Sequence, residues 1–277
     1  MKLRRITGWL LSLVLALAIT SVVDALAYKN VPAWLTPVNT VLTFAVAFLH
    51  AGQRLGWRRA GLLLVVVFIV GITFESAGVS TGIVYGPYHY TDKLGPKLLG
   101  LVPVLIPIAW FMMMYASLTI ADLIIPHGLM RASTRRWVVA AAGGVAMTAW
   151  DLAMDPLMVA GGNWVWDTQG AYYGVPLQNF WGWWLTTFVA LFIFQALAVE
   201  LHIATPAQME TVPQVWAIFI YLIIGSSTVT MDFVYDLGGA GLTGLFAMLP
   251  WAVAALLRLK ISNNPPGRVV TRPEVGD

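Results

Sequence analysis

Eight runs of about 20 mostly apolar residues follow one another along this chain, each long enough to cross the hydrocarbon core of a bilayer. On that template the spans are Thr7–Tyr28, Trp34–Leu55, Ala60–Val79, Leu99–Leu123, Trp137–Ala160, Phe180–Val199, Pro213–Tyr235 and Leu242–Leu259. A backbone inside lipid must satisfy its own N–H and C=O groups, so each run reads as a helix. The fold class is therefore all-α, a polytopic integral membrane bundle of about eight transmembrane helices, and no strands are expected. Hydrophobic residues make up 59% of the chain and charged ones 10%, against roughly 25% charged in a soluble domain. A soluble fold is excluded. No internal repeat is visible, and the polar stretches are too short to fold separately. The expected organisation is one transmembrane domain over residues 1–261 and a disordered cytoplasmic tail over 262–277, around Asn263-Asn264-Pro265-Pro266-Gly267.

Orientation follows from the basic residues in alternate loops. One side collects Lys2, Arg4, Arg5, Arg54, Arg58, Arg59, Arg131, Arg135, Arg136, Arg258, Lys260, Arg268 and Arg272; of the 16 basic residues only Lys29, Lys93 and Lys97 fall on the other. Both termini are placed in the cytoplasm of a multi-pass cell-membrane protein. This asymmetry also explains the pI of 9.2, so no nucleic-acid partner is needed. Lys2–Arg5, the apolar run behind them and Ala25-Leu26-Ala27 imitate a cleaved signal peptide. The run is long enough to span, and the reading here is a retained helix.

The acids are one-sided too. Asp24, Glu75, Asp92, Asp151, Asp155, Asp167, Asp232 and Asp236 lie at or near the extracytoplasmic side, whereas Asp122, Glu200, Glu210, Glu274 and Asp277 lie on the other. An acid within a span is costly and marks a functional site by default. Asp151 and Asp155 are four apart and share one helix face; Asp232 and Asp236 repeat the spacing on the seventh span, and Glu75 sits on the third. Close carboxyl groups in a low-dielectric site cannot all ionise, and one that keeps its proton meets the condition for a general acid. The bland alternative, helix capping or bonding across the bundle, applies most readily to Asp24 and Asp236.

Trp164, Trp166, Trp181, Trp183 and Trp184 bracket the outer loop that follows the paired aspartates, beside Tyr85, Tyr88, His89 and Tyr90 in the preceding outer loop. Trp9, Trp34, Trp57, Trp137 and Trp216 fit an interfacial belt. For the loop cluster, a belt and a pocket that holds a cation or a long polyene against aromatic faces are both open readings.

Other chemistries fail on inspection. The chain has no cysteine, so thiolate metal sites and Cys nucleophiles are absent. There is no phosphate-binding or dinucleotide-binding glycine pattern. His50, His89, His127 and His202 are scattered over both sides and disfavour a His-rich iron or copper centre. The expected cofactor and metal content is none.

The run Phe74-Glu75-Ser76-Ala77-Gly78-Val79, then Tyr85-Gly86-Pro87-Tyr88-His89-Tyr90-Thr91-Asp92 and Leu94-Gly95-Pro96, resembles the CruF-type carotenoid biosynthesis proteins. So do Pro103–Trp110, Trp150-Asp151-Leu152-Ala153-Met154-Asp155-Pro156, Trp164-Val165-Trp166, Tyr172-Tyr173-Gly174-Val175-Pro176 and Asn179-Phe180-Trp181-Gly182-Trp183. The resemblance is close from Phe74 to Trp184 and extends elsewhere by hydropathy alone. It implies a cofactor-free membrane hydratase that adds water across the terminal 1,2 double bond of an acyclic carotenoid end, C40 or C50, giving a tertiary 1-hydroxy carotenoid. Water, the lipid bilayer and other carotenoid biosynthesis enzymes are the partners it suggests.

The residues fit that reaction on their own terms. Protonating a trisubstituted alkene needs a carboxylic acid, and carboxylates and aromatic faces stabilise the resulting cation. Asp151, one turn deeper and more desolvated than Asp155, is assigned as the acid, with Glu75 or Asp155 handling the water. Tyr85, Tyr88, His89, Trp150, Trp164, Trp166, Tyr172, Asn179, Trp181 and Asp232 are expected around the substrate. Three alternatives stay open. A carotenoid end-group cyclase shares the protonation step. A UbiA-type polyprenyl transferase would use Asp151/Asp155 and Asp232/Asp236 for Mg²⁺–diphosphate, but the acid side has few Lys or Arg to clamp one. A non-enzymatic proton pathway would not need the aromatic cluster.

Overall fold

A computed structural model of the chain describes residues 2–203 and 212–263. Among these residues eight helices are long and apolar enough to cross a membrane: α1 (Lys2–Tyr28), α2 (Leu35–Leu55), α3 (Trp57–Thr81), α4 (Leu105–Ile124), α5 (Ala132–Ala160), α6 (Leu177–Glu200), α7 (Val215–Val234) and α8 (Gly238–Asn263). Number and order match the expected spans. Glu210 and residues 264–277, which hold most of the tail expected to be disordered, lie outside the described residues.

Helix α4 forms the centre. Every residue from Trp110 to Ala121 is buried, as expected of a helix that is apolar all round. Successive spanning helices alternate in direction, so the α2–α3 and α4–α5 turns share one end with Lys2. There Asp122 of α4 accepts from Arg54 of α2 at 2.6 Å and from Arg135 of α5 at 2.9 Å. Arg135 also donates to the carbonyls of Asp122 and Ile125, satisfying groups that the end of α4 leaves without helical partners.

The opposite end departs from the expectation of no strands. Tyr88–Tyr90 (β1) pairs antiparallel with Trp164–Trp166 (β4), in the register Tyr88 with Trp166, His89 with Val165 and Tyr90 with Trp164. Side chains alternate across a strand, so the four flanking rings are buried while His89 and Val165 point outward. A second ladder joins Lys97–Leu98 (β2) to Val102–Pro103 (β3). This hairpin delays α4 to Leu105, six residues after the expected start at Leu99. The β1 and β4 loops are tied further by Thr91 Oγ1 on the Gly162 carbonyl at 2.9 Å and Lys93 Nζ on the Gly161 carbonyl at 2.7 Å.

Two glycines let the β1 loop sink into the bundle. The Tyr85 ring lies against Gly78 of α3 and Gly182 of α6, where a Cβ at either position would collide with it. Gly82 closes α3 at φ 69°, in the left-handed region where glycine carries no Cβ penalty.

Candidate active site

Helices α3, α4, α5 and α6, with β1 and β4, enclose one end of a cavity of about 1070 Å³. Glu75, Tyr85, Tyr88, Tyr90, Trp110, Trp150, Asp155, Trp164, Trp166, Asn179 and Trp183 line it. Its wall therefore carries two separate carboxyl groups within an otherwise aromatic surround.

Glu75, buried on α3, accepts from three side chains. Tyr88 and Tyr90 donate to Oε2, the latter at 2.7 Å, and the Trp110 indole donates to Oε1 at 2.8 Å. An indole N–H can only donate, so Oε1 is an acceptor, as Oε2 is toward the two phenols. Burial, and after it the charge of Glu75, pushes the phenols of Tyr85, Tyr88 and Tyr90 well above the ordinary tyrosine range. All three keep their protons at neutral pH. Tyr85 shares a hydrogen bond of 2.7 Å with Thr186, and the Trp166 indole donates to the Tyr85 carbonyl at 2.9 Å.

Asp151 and Asp155 occupy one face of α5, as their spacing requires. The Asn179 amide bridges them, donating to Asp151 Oδ2 at 3.1 Å and to Asp155 Oδ2. The shared amide holds the two carboxyl groups side by side. Asp155 reaches the cavity wall; Asp151 sits behind it, fully buried, with Oδ1 unpartnered. The pair thus has a front and a back.

The aromatic wall is ordered by contact between rings. Trp110 stacks on Trp183 with centroids 4.1 Å apart, and Trp150 meets Trp183 edge-on. Tyr90 packs edge-on against Trp164, and Tyr88 lies tilted against Trp166 at an interplanar angle of 33°. Faces so arranged attract a cation, by roughly 2 kcal/mol or more where water is excluded.

Five expectations fall elsewhere. Trp181 is 60% exposed and stacks on Trp184, which continues to Phe188. On α6, Asn179, Gly182, Trp183 and Thr186 recur on the inward face, leaving Trp181 outward and Trp184 half-buried against α5, where its indole donates to the Ala141 carbonyl at 3.2 Å. His89 is exposed and meets Asp167 at 3.1 Å. Tyr172 donates to the Leu152 carbonyl at 2.8 Å instead of lining the cavity. Asp232 is buried on α7 away from the cavity, both its oxygens unpartnered. Asp236 is not on the helix at all: α7 ends at Val234, and the Leu237 N–H turns back to the Asp232 carbonyl while Asp236 adopts φ 62°. The second acidic pair expected on one helix face does not form. Conversely, Tyr90, named only among the outer-loop aromatics, lines the cavity, as does Trp110, which was not a candidate, and Thr186 holds Tyr85 from behind. Trp110 stands as a lone N–H donor in the most buried helix, the signal that could have found it.

Fold and site together define a polytopic membrane protein with a buried carboxyl and aromatic chamber. The chain belongs to the carotenoid biosynthesis protein family, whose sequence pattern it matches over residues 35–250. It is similar to the bisanhydrobacterioruberin hydratase of Haloarcula japonica, 37% identical over 137 residues, which cover 50% of this chain and 45% of that protein. The match thus spans less than half the length of that relative. No solved structure matches the chain.

Proposed function

We propose that this protein is a carotenoid hydratase that adds water across the terminal 1,2 double bond of an acyclic end group, without metal or organic cofactor. One observation carries the reading: Glu75, held by three donors, and Asp155, backed by Asp151, open into the same aromatic chamber. Asp155 gives its proton to C2 of the alkene, and the π pair becomes the new C–H bond. The positive charge appears at C1, a tertiary carbon. The faces of Trp164, Trp166, Trp183 and Trp110 hold that cation. A water oxygen bonds to C1, and its surplus proton passes to Glu75, whose oxygens are set as acceptors. The sum is addition of H₂O, with no redox change. The proton returns from Glu75 to the aspartate pair by exchange with water, and Asp151 restores Asp155. Geometry therefore favours Asp155 over Asp151 as the group that touches substrate.

The name of the Haloarcula relative supports hydration of a carotenoid. The acyclic end is the part of such a molecule that one buried carboxylic acid can turn into a tertiary cation. The basic excess at the Lys2 end supports cytoplasmic termini in the cell membrane, with the acid end toward the outside. The test is incubation of the purified protein, anaerobically and with chelator, with an acyclic-ended carotenoid in ¹⁸O-labelled water. Gain of one labelled water is expected. An unchanged formula with a new ring would make it a cyclase, and a need for O₂ or Mg²⁺ would end the reading.

A further inference from the structure

The chamber continues away from the acids. Beyond Trp150 its wall passes to Ala18 and Ser21 of α1 and to Ile223 and Ser227 of α7. On the outer surface of the same seam lies a groove of about 220 Å³, bordered by Leu15, Ile19 and Ser226. Ala18, Ile223 and Ser227 belong to both hollows. These three side chains are the shared wall between the interior and the lipid-facing side.

The seam is held shut above and below this point. Toward the Arg-rich end, Gly8 of α1 packs beneath the Trp216 ring of α7. Toward the acid end, Ala25 clusters with Met231 and Val234, and Lys29 Nζ donates to the Val234 carbonyl at 2.6 Å. Between the two clamps the shared wall carries no charge, and two of its three residues are small.

We infer that the substrate's polyene leaves the bundle through this window between α1 and α7, so that Ala18, Ile223 and Ser227 form a tail subsite and the far end lies in the bilayer. The inference rests on the proposed hydration of a carotenoid. A conjugated polyene is a stiff rod about as long as the hydrocarbon core is thick, roughly 30 Å. With one end against Asp155 it cannot coil inside the chamber. The window carries hydroxyl groups but no charge, which matches a hydrocarbon rod; an ion path would require charged groups at the same place.

The test uses the full-length protein in lipid vesicles and two substrates that share the acyclic end: a full-length carotenoid and a short isoprenoid hydrocarbon. Ala18→Trp should lower the preference for the long substrate over the short one, as a ratio of kcat/KM, by at least tenfold. A smaller change overturns the subsite. As a second measurement, Ser227→Cys places one thiol in a chain that has none. Carotenoid should slow its alkylation by a lipid-soluble maleimide at least tenfold, and unaltered alkylation overturns the inference even if Ala18→Trp fails to fold. Were the unaltered protein to hydrate neither substrate, the hydratase reading would fall, while protection of Ser227→Cys would still decide whether the seam holds a polyene.

Discussion

The Tyr172 hydroxyl supplies the hydrogen bond that Pro156 cannot make. Proline has no N–H, so within α5 the Leu152 carbonyl, four residues earlier, lacks its helical donor. Tyr172 reaches it at 2.8 Å from the loop after β4. The repaired turn is the one that carries Asp155 to the chamber wall. A loop residue expected to touch substrate thus serves the helix that presents the acid.

The coupling between these two residues is measurable. Tyr172→Phe should cost about 0.5–1.5 kcal/mol, the net contribution of one hydrogen bond, and lower the Tm in detergent. In a Pro156→Ala background the backbone N–H returns, so the same Tyr172→Phe change should cost much less. Equal costs in the two backgrounds would show that Tyr172 acts elsewhere.

At Glu75 the three donors allow a graded experiment. Glu75→Gln keeps the size but removes the accepting charge, and kcat should fall roughly 10²–10⁴-fold, as for a general acid–base group. Trp110→Phe removes the Oε1 contact and keeps a smaller aromatic face against Trp183. A hydrogen bond to a charged group contributes roughly 1.5–3 kcal/mol, so about a 10- to 100-fold loss is expected. Stopped assays on both variants, with circular dichroism to verify folding, separate the two effects.

Gly182→Ala tests how tightly the β1 loop is held. The new methyl would meet the Tyr85 ring and the Val84 carbonyl. Overpacking of this kind costs about 1–3 kcal/mol. The chamber wall should shift with the ring, lowering both Tm and kcat, and Tyr85→Phe alone should do less damage to Tm. Wild-type behaviour in Gly182→Ala would mean that Tyr85 is not locked between α3 and α6.

Much of this architecture is legible in the residues. The eight apolar runs dictate the helices because lipid leaves the backbone no other choice, and the four-residue spacing of Asp151 and Asp155 does place them on one face. The α6 pattern was equally readable, since Asn179, Gly182, Trp183 and Thr186 recur at helical intervals and exclude Trp181. Period-two alternation in Tyr88-His89-Tyr90 and Trp164-Val165-Trp166 points to strands, and only the presumption that a membrane bundle has none hid it. The partnership of Trp110 with Glu75 was not readable. It joins residues 35 apart on different helices, a pairing set by how α3 crosses α4. Nor could spacing reveal that α7 stops before Asp236, because the turn that ends it depends on the Leu237 N–H folding back onto Asp232.

Sidedness can be read directly, because the chain has no native cysteine. Ser133→Cys lies at the Arg-rich end and His89→Cys at the acid end, both exposed. A membrane-impermeant maleimide should label His89→Cys in intact cells and Ser133→Cys only after permeabilisation. The reverse pattern would invert the proposed orientation.

The three aspartates of α5 and α7 differ in what they can reach, and their amide variants should separate accordingly. Asp155→Asn removes the proton at the chamber wall and should lower turnover by about 10²–10⁴-fold. Asp151→Asn leaves Asp155 in place but takes away the carboxyl group behind it, which has no contact with the chamber. Its loss should be smaller, and it should appear in kcat more than in KM, because proton resupply changes while substrate binding does not. Asp232 lies off the chamber with both oxygens unpartnered, so Asp232→Asn should leave turnover near that of the unaltered protein. Single-turnover and steady-state rates measured side by side test the order. If Asp151→Asn were as damaging as Asp155→Asn already in the first turnover, Asp151 itself would be the group that protonates the alkene, and the chamber would have to open onto it when substrate binds.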